Sequence, residues 1–366
     1  MEHAKAAEKM IGIVRDPHTP LRAAKEAGGK VVGYFCSYVP VELIHAAGLI
    51  PLRMLQGPAP GDVAGAYMQP FCCSFARSLL EGLGDGTYDH LAAVVMPHTC
   101  DTIRNLSDLV ETASPGLRVL RLMVPTTTHT PEAADFMVEE LAVLKQSLGE
   151  VAGRDVTESA LRESIALYNR CRSVLEGLRG LNTGDRMLYA AYLALQLTAP
   201  EDFLGLATSL ETGEEKAGDR RVAVVGGPVP QLDVFELLEE YGMQVVWDDL
   251  CTASRFAAGL VAKDGDPLRA LAERYLSRQP CPTKRDPANR REEEMMRGIG
   301  ESGAEGVVFA QQAFCEFHSF DYPGLKKRLD AEGIPSVRLD LEHPFQPSGQ
   351  MRTRLQALSE ILSEGM

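Results

Sequence analysis

Eight cysteines stand in this 366-residue chain, and their placement says more than their number. Cys36 follows the run KVVGYF, Cys100 lies four residues beyond LAAVVM, Cys315 five beyond GVVFA, and Cys251 four beyond QVVW. Each of those runs reads as a buried parallel strand. Four cysteines therefore fall at or just past a strand's carboxyl end, the edge where α/β folds bind ligands. Cys72 and Cys73 open the helical pattern Ser74–Leu83, where the helix dipole is expected to lower a thiol pKa. Cys281 occupies a Pro-Cys-Pro loop. Cys171, inside a plain amphipathic helix, reads as packing. A single cysteine is more often a small buried hydrophobe than a ligand, but a group of them at strand ends reverses that reading.

Paired C-x-x-C spacing, the usual mark of a tetrahedral zinc site, does not occur. Dispersed thiolates from several strand ends better suit an iron–sulfur cluster bridging two domains. Three thiolates with an open iron make a catalytic cluster, and four make an electron carrier. The chain has no G-x-x-x-x-G-K-[ST] and no G-x-S-x-G, so neither a P-loop nor a nucleophile elbow is expected. Gly226-Gly227-Pro228 follows a strand and reads as a tight turn, with a phosphate cradle as the alternative.

The elements that must position these thiols alternate. Strands are expected over Lys30–Phe35, Ile50–Leu55, Leu91–Met96 and Arg118–Val124, with helices at Val41–Ala47, Ser74–Leu83 and Thr102–Glu111. From Pro131 to about Ser209 the periodicity is helical only. The polar stretch Glu211–Arg220 reads as a linker. Alternation then resumes, with strands at Arg221–Val225, Gln244–Trp247, Gly306–Ala310 and Ser336–Leu341, and helices at Leu232–Tyr241, Pro267–Leu276, Tyr322–Glu332 and Gln350–Glu364. The expectation is an α/β domain over residues 1–130, a helical block over 131–210, a linker over 211–220 and a second α/β domain over 221–366. LAAVVMPHTCDTIRNL and GVVFAQQAFCEFHSFDYPGL both run strand, loop, cysteine, helix, which points to internal duplication.

Lys and Arg total 37 against 51 Asp and Glu, a formal net charge of −14 that argues against a nucleic-acid partner. No apolar run approaches membrane-spanning length, and Met1–Val14 lacks the apolar segment of a secretory signal. A cytoplasmic protein with reduced thiols is expected.

Several strings carry a resemblance. GYFCSYVPVELIHAAGLIPLRM (Gly33–Met54), PFCCSFARSLL (Pro70–Leu80) and HTCDTIRNL (His98–Leu106) lie in the first half. WDDLCTASR (Trp247–Arg255), FCEFHSFDYPGLKKRLDAEGIPSVRLDLE (Phe314–Glu342) and GQMRTRLQALSEIL (Gly349–Leu362) lie in the second. In this order they resemble the family of 2-hydroxyacyl-CoA dehydratase (2-hydroxyglutaryl-CoA dehydratase D-component-like) and class I benzoyl-CoA reductase subunits, which includes the double-cubane cluster proteins. The resemblance implies two flavodoxin-like, Rossmann-like parallel-sheet domains with a helical insertion and a [4Fe-4S] cluster between the domains. It implies an oxygen-sensitive homodimer, or a heterodimer with a homologous subunit, that takes electrons from a separate ATP-hydrolysing iron–sulfur activator protein.

Carried over residue by residue, the cluster ligands fall on Cys72 or Cys73, on Cys100 and on Cys315. Cys36, Cys251 and Cys281 would supply a second set of thiolates if the cluster is a double cubane, or else pack at the domain interface. In the dehydratase reading one low-potential electron delivered to the thioester carbonyl of a 2-hydroxyacyl-CoA makes a ketyl radical anion that expels the α-hydroxyl. In the reductase reading the same electron reduces a ring or a small unsaturated molecule. A non-catalytic electron-transfer subunit is a third reading. His98 and His318, each near a ligand cysteine, are candidate proton donors or cluster-tuning partners. Arg104 has two readings, a stabiliser of cluster or CoA phosphate charge and a surface ion pair. Arg352 and Arg354 match a family string with no chemical role assigned, and Tyr34, Tyr38 and Tyr67 either line a pocket or pack.

Overall fold

A computed structural model describes residues 2–55, 57–180, 185–210 and 219–364. Most of the expected linker, residues 211–218, lies outside them. The first half runs α1 (Glu2–Arg15), α2 (His18–Glu26), β1 (Val31–Tyr34), α3 (Val41–Ala46), β2 (Ile50–Arg53), α4 (Asp62–Tyr67), α5 (Ser74–Gly84), β3 (Leu91–His98), α6 (Asp101–Ala113) and β4 (Arg118–Met123). Helices α7 (Pro131–Ala152), α8 (Glu158–Gly180), α9 (Asp185–Leu197) and α10 (Pro200–Ala207) follow, with no strand between them among the described residues. The second half runs β5 (Arg220–Gly226), α11 (Asp233–Glu240), β6 (Met243–Leu250), α12 (Ser254–Ala257), α13 (Pro267–Ser277), α14 (Arg290–Ser302), β7 (Gly306–Gln312), α15 (Glu316–Ala331), β8 (Ser336–Leu341) and α16 (Gly349–Glu364). Among the described residues no helix is long and apolar enough to cross a membrane.

The strands form two four-stranded, all-parallel sheets ordered β2-β1-β3-β4 and β6-β5-β7-β8. Inner strands such as β1 and β7 are buried along their whole length, which is why they read as unbroken apolar runs. Edge strand β4 alternates instead, exposing Arg118, Arg121 and Met123 while burying Leu120 and Leu122. The helical block is set by local signals. The Thr130 hydroxyl accepts from the Ala133 amide, Pro131 takes the first turn of α7, and Gly153 ends it with φ 77°.

That block ties the halves together. Nine residues of α9, Tyr189 to Leu197, are buried, and the helix packs on α1, β2, α8 and α11. Glu42 of α3 accepts from Arg172 of α8 and from the Tyr275 hydroxyl of α13, the latter at 2.9 Å. The main apolar core is accordingly continuous through both halves, with a smaller cluster where α14 and α15 cover β5 and β7.

Three regions differ from the sequence expectation. Helices α1 and α2 lie where the charged N-terminal stretch suggested no element. Arg290–Ser302, for which the sequence pattern gives no element, is a helix that turns Arg291 inward. Helix α15 begins at Glu316 rather than Tyr322, because Pro323, a first-turn residue by preference, sits inside it.

Candidate functional site

The chain leaves the carboxyl edges of both sheets through cysteines, whose partly buried thiols lie within one another's field and so bound a common hollow. Cys73, Cys100 and Cys315 are the N-cap residues of α5, α6 and α15. The turn into Cys315 is tight: its amide bonds to the Gln312 carbonyl at 3.1 Å, and Phe314 takes a left-handed φ of 63° that a non-glycine residue rarely adopts. Cys36 follows β1, Cys251 follows β6, and Cys281 comes from the segment after α13.

These thiols share one electrostatic neighbourhood. Cys100 feels Cys315, Cys36 and Cys73; Cys315 feels Cys73, Cys281 and Cys251; Cys251 feels Cys36 and Cys281. Cys72 is close to Cys73, which is the thiol that both Cys100 and Cys315 sense. Cys171 stands apart, buried in α8 with its sulfur 3.7 Å from the Pro200 carbonyl oxygen, as the packing reading expects.

The expected lowering of thiol pKa at a helix start is overturned for Cys73. Burial pushes its thiol up and outweighs the pull of the Ala76 and Phe75 amides. Cys100 and Cys315 are pushed up to about 12 in the same way, against the Ile103 and His318 amides respectively. Thiols so desolvated become thiolates when a metal replaces the proton.

The donor set is thiol-rich and spread out. Among the described residues no three His, Cys, Asp or Glu side chains converge on a single-ion site. Six dispersed sulfurs from both halves match a polynuclear iron–sulfur group better than one tetrahedral ion.

The two histidines flank the hollow as neutral rings. Burial, with Arg291 and Arg255 nearby, brings His318 down to about 3, and its ring lies against Gly227. His98 is lowered by burial and by Arg104 and Arg121. Each ring offers an N–H and a lone pair at neutral pH. Arg104 itself is exposed. Arg352 pairs with Glu240 at 2.7 Å, and Arg354 donates to the Arg338 carbonyl at 2.6 Å, so both are structural. Tyr34 and Tyr38 are buried and Tyr67 is exposed.

Beneath the thiols lies a layer of buried charge that the sequence pattern did not flag. Asp249 accepts from Arg255 and Arg291, and Arg291 also donates to Asp321 at 2.8 Å. Burial alone would raise the Asp249 carboxyl, but the two guanidiniums hold it at about 2. Arg278 donates to the Ser37 and Arg255 carbonyls at 2.9 and 3.0 Å and stacks over Tyr38 and Tyr275. The Lys284 ammonium lies 4.7 Å above the Tyr38 ring. Arg53, at the end of β2, reaches across to the Cys251 carbonyl at 2.7 Å and to its sulfur at 3.6 Å. The available signal was proximity in sequence: Arg255 closes the WDDLCTASR string and Lys284 follows Cys281 by three residues. On the far side of β6, Arg179, Tyr192, Trp247, Ser254 and Arg297 help line a cavity of about 730 Å³, within the size range of small-ligand sites.

Residues 36–362 match the family model of the 2-hydroxyglutaryl-CoA dehydratase D-component. The chain belongs to that family of 2-hydroxyacyl-CoA dehydratase and benzoyl-CoA reductase subunits. It is 29% identical to a benzoyl-CoA reductase subunit of Thauera aromatica, over 91% of each chain. It is 28% identical to the (R)-2-hydroxyglutaryl-CoA dehydratase beta subunit of Acidaminococcus fermentans, over 97% of this chain and 98% of the relative. It is 26% identical to the (R)-phenyllactyl-CoA dehydratase beta subunit of Clostridium sporogenes, over 93% and 94%.

Proposed function

We propose that the chain is an iron–sulfur subunit in which Cys73, Cys100 and Cys315 hold a [4Fe-4S] cluster, and that it dehydrates a 2-hydroxyacyl-CoA by a radical route. The carrying observation is that three helices, two following strands of the first sheet and one of the second, begin with cysteines whose thiols lie within one another's field. When bound, such a cluster supplies single electrons and, at an iron without a protein ligand, a Lewis-acid position. The electron would come from a separate ATP-hydrolysing activator, since the chain carries no P-loop of its own. Cys73 is favoured over Cys72 because its thiol, not its neighbour's, is in the field of Cys100 and Cys315.

The residues around the hollow do the rest. The buried rings of Phe35 and Phe75 exclude water, which strengthens every charge interaction inside. Neutral His98 and His318 orient oxygen atoms by hydrogen bonding rather than by delivering a charged acid's proton. Three dehydratase relatives are named for CoA thioesters of 2-hydroxy acids and as subunits, which supports this substrate class and a homologous partner subunit, in a homodimer or heterodimer.

A second reading places another cubane on Cys36, Cys251 and Cys281, making a double-cubane reductase of small unsaturated molecules. It is favoured by those three thiols sharing the hollow with several buried cations. Iron and acid-labile sulfide per chain, measured on protein purified without oxygen, with EPR of the reduced state, tests both. About four irons supports the first reading and about eight the second; zinc, or no metal, overturns both.

A further inference from the structure

The chain carries a formal net charge of −14, yet its buried charges run the other way. Among the described residues seven buried arginines and lysines face four buried carboxylates. The carboxylates are spoken for. Glu42 takes Arg172, Asp249 takes Arg255 and Arg291, Asp248 takes the partly buried Arg179, and Glu81 accepts from the Gly61 and Ala64 amides. Arg274 is held by the carbonyls of Phe256, Ala258 and Gly259.

Among the described residues three further buried cations, like Arg274, have no carboxylate in ion-pair reach: Arg53 at 2% exposure, Arg278 at 7% and Lys284 at 6%, of which the first two likewise meet carbonyls. Arg53 and Arg278 each also keep a buried Nε without an acceptor. All three face thiols. Arg53 touches Cys251, Arg278 is in the field of Cys36, and Lys284 is in the field of Cys281, Cys36 and Cys100. Burying a charge without a partner is among the costliest things a fold can do. Three on one wall of a thiol-lined hollow call for an anion inside it.

We propose that Arg53, Arg278 and Lys284 form the counter-charge wall of the iron–sulfur group, retaining it and raising its reduction potential. The inference rests on the reading above that the hollow holds such a group, and is independent of whether one cubane or two is present. A cation beside the group stabilises the more negative, reduced state, so each charge removed moves the potential downward.

Lys284 gives the cleanest test, because its ammonium makes one long hydrogen bond, 3.5 Å to the Val124 carbonyl. Lys284→Met keeps the length and removes the charge; Lys284→Arg keeps the charge; Lys284→Gln serves where methionine is not accommodated. EPR-monitored titration of the loaded protein should show a more negative midpoint for Lys284→Met and a midpoint near wild type for Lys284→Arg. Iron loss to a chelator should be several-fold faster in Lys284→Met. The metal-free Lys284→Met protein should melt no lower than metal-free wild type, because the lost charge had no partner there. An unmoved midpoint in a loaded variant, or a metal-free melting temperature lowered as much as the loaded one, overturns the wall. Wild type that takes up no iron overturns the underlying reading as well, so the two failures are told apart by wild-type loading.

Discussion

The two sheets repeat one strand order, yet they bring different chemistry to the hollow between them. In both, the third strand of the order runs into a cysteine that caps the next helix, Cys100 after β3 and Cys315 after β7. The other matched positions diverge. β1 leads to Cys36, whereas its counterpart β5 leads to Gly226-Gly227-Pro228; β6 leads to Cys251, whereas its counterpart β2 ends in Arg53. The last pair now meet, with Arg53 donating to the Cys251 carbonyl and sulfur. The winding of a parallel sheet dictates where a ligand site opens. The residue types placed at those openings then decide which half supplies thiols and which supplies charge.

The shared positions should be the least forgiving. Cys100→Ser and Cys315→Ser are each expected to lose nearly all bound iron, while Cys171→Ser keeps it. Iron and sulfide analysis of the three variants checks this, and an equal loss in all three would break the equivalence of the two strand ends. Next in size is the buried carboxylate at the centre of the second half's charge cluster, Asp249. Asp249→Asn leaves Arg255 buried without a carboxylate and Arg291 with Asp321 alone, at an expected cost of about 3–5 kcal/mol, read by denaturant unfolding.

A pH series sharpens the comparison further. Burial holds His90, under the first sheet, and His343, after the second, at about 4, the latter against the opposing effect of the Gly57 carbonyl. The unfolded chain binds these protons nearer pH 6.5, so stability is complete above that value and falls as pH drops from 6.5 toward 4. At pH 5 the loss is about 2 kcal/mol for each group. Melting curves should show it, and His343→Gln should remove its share.

The smallest contrast lies in one glycine from each of the two corresponding strands β1 and β5. A Cβ at Gly226 would sit 1.7 Å from the main-chain oxygen of Ala310, whereas at Gly33 it would meet the flexible ends of Leu91 and Met54 at 2.8 and 2.9 Å. Gly226→Ala is expected to cost about 3 kcal/mol and Gly33→Ala about 1 kcal/mol, since side chains yield and backbone does not. Equal costs would show that the two central strands are supported alike.

Much of this was legible in one dimension. Both sheets announce themselves, because strands buried on two faces must be continuous apolar runs. The strand-end cysteines stood out because parallel strands deliver every such residue to one edge. Helices α1 and α14 were not legible, as their charged faces mask the few residues they bury, Met10 and Val14 in one, Met295 and Ile299 in the other.

What the amino-acid sequence determined by itself was the alternation of elements, the repeated plan and the positions where thiols leave the strands; these follow from local periodicity and from short-range backbone preference. Only the tertiary structure decided that cysteines from both halves share one hollow, that Asp249 neutralises Arg255 and Arg291, and that Arg53, Arg278 and Lys284 are buried there without carboxylates. An arginine's partner and its distance from solvent are set by segments as far as 241 residues away in the chain, as between Arg278 and Ser37, and no local pattern records them.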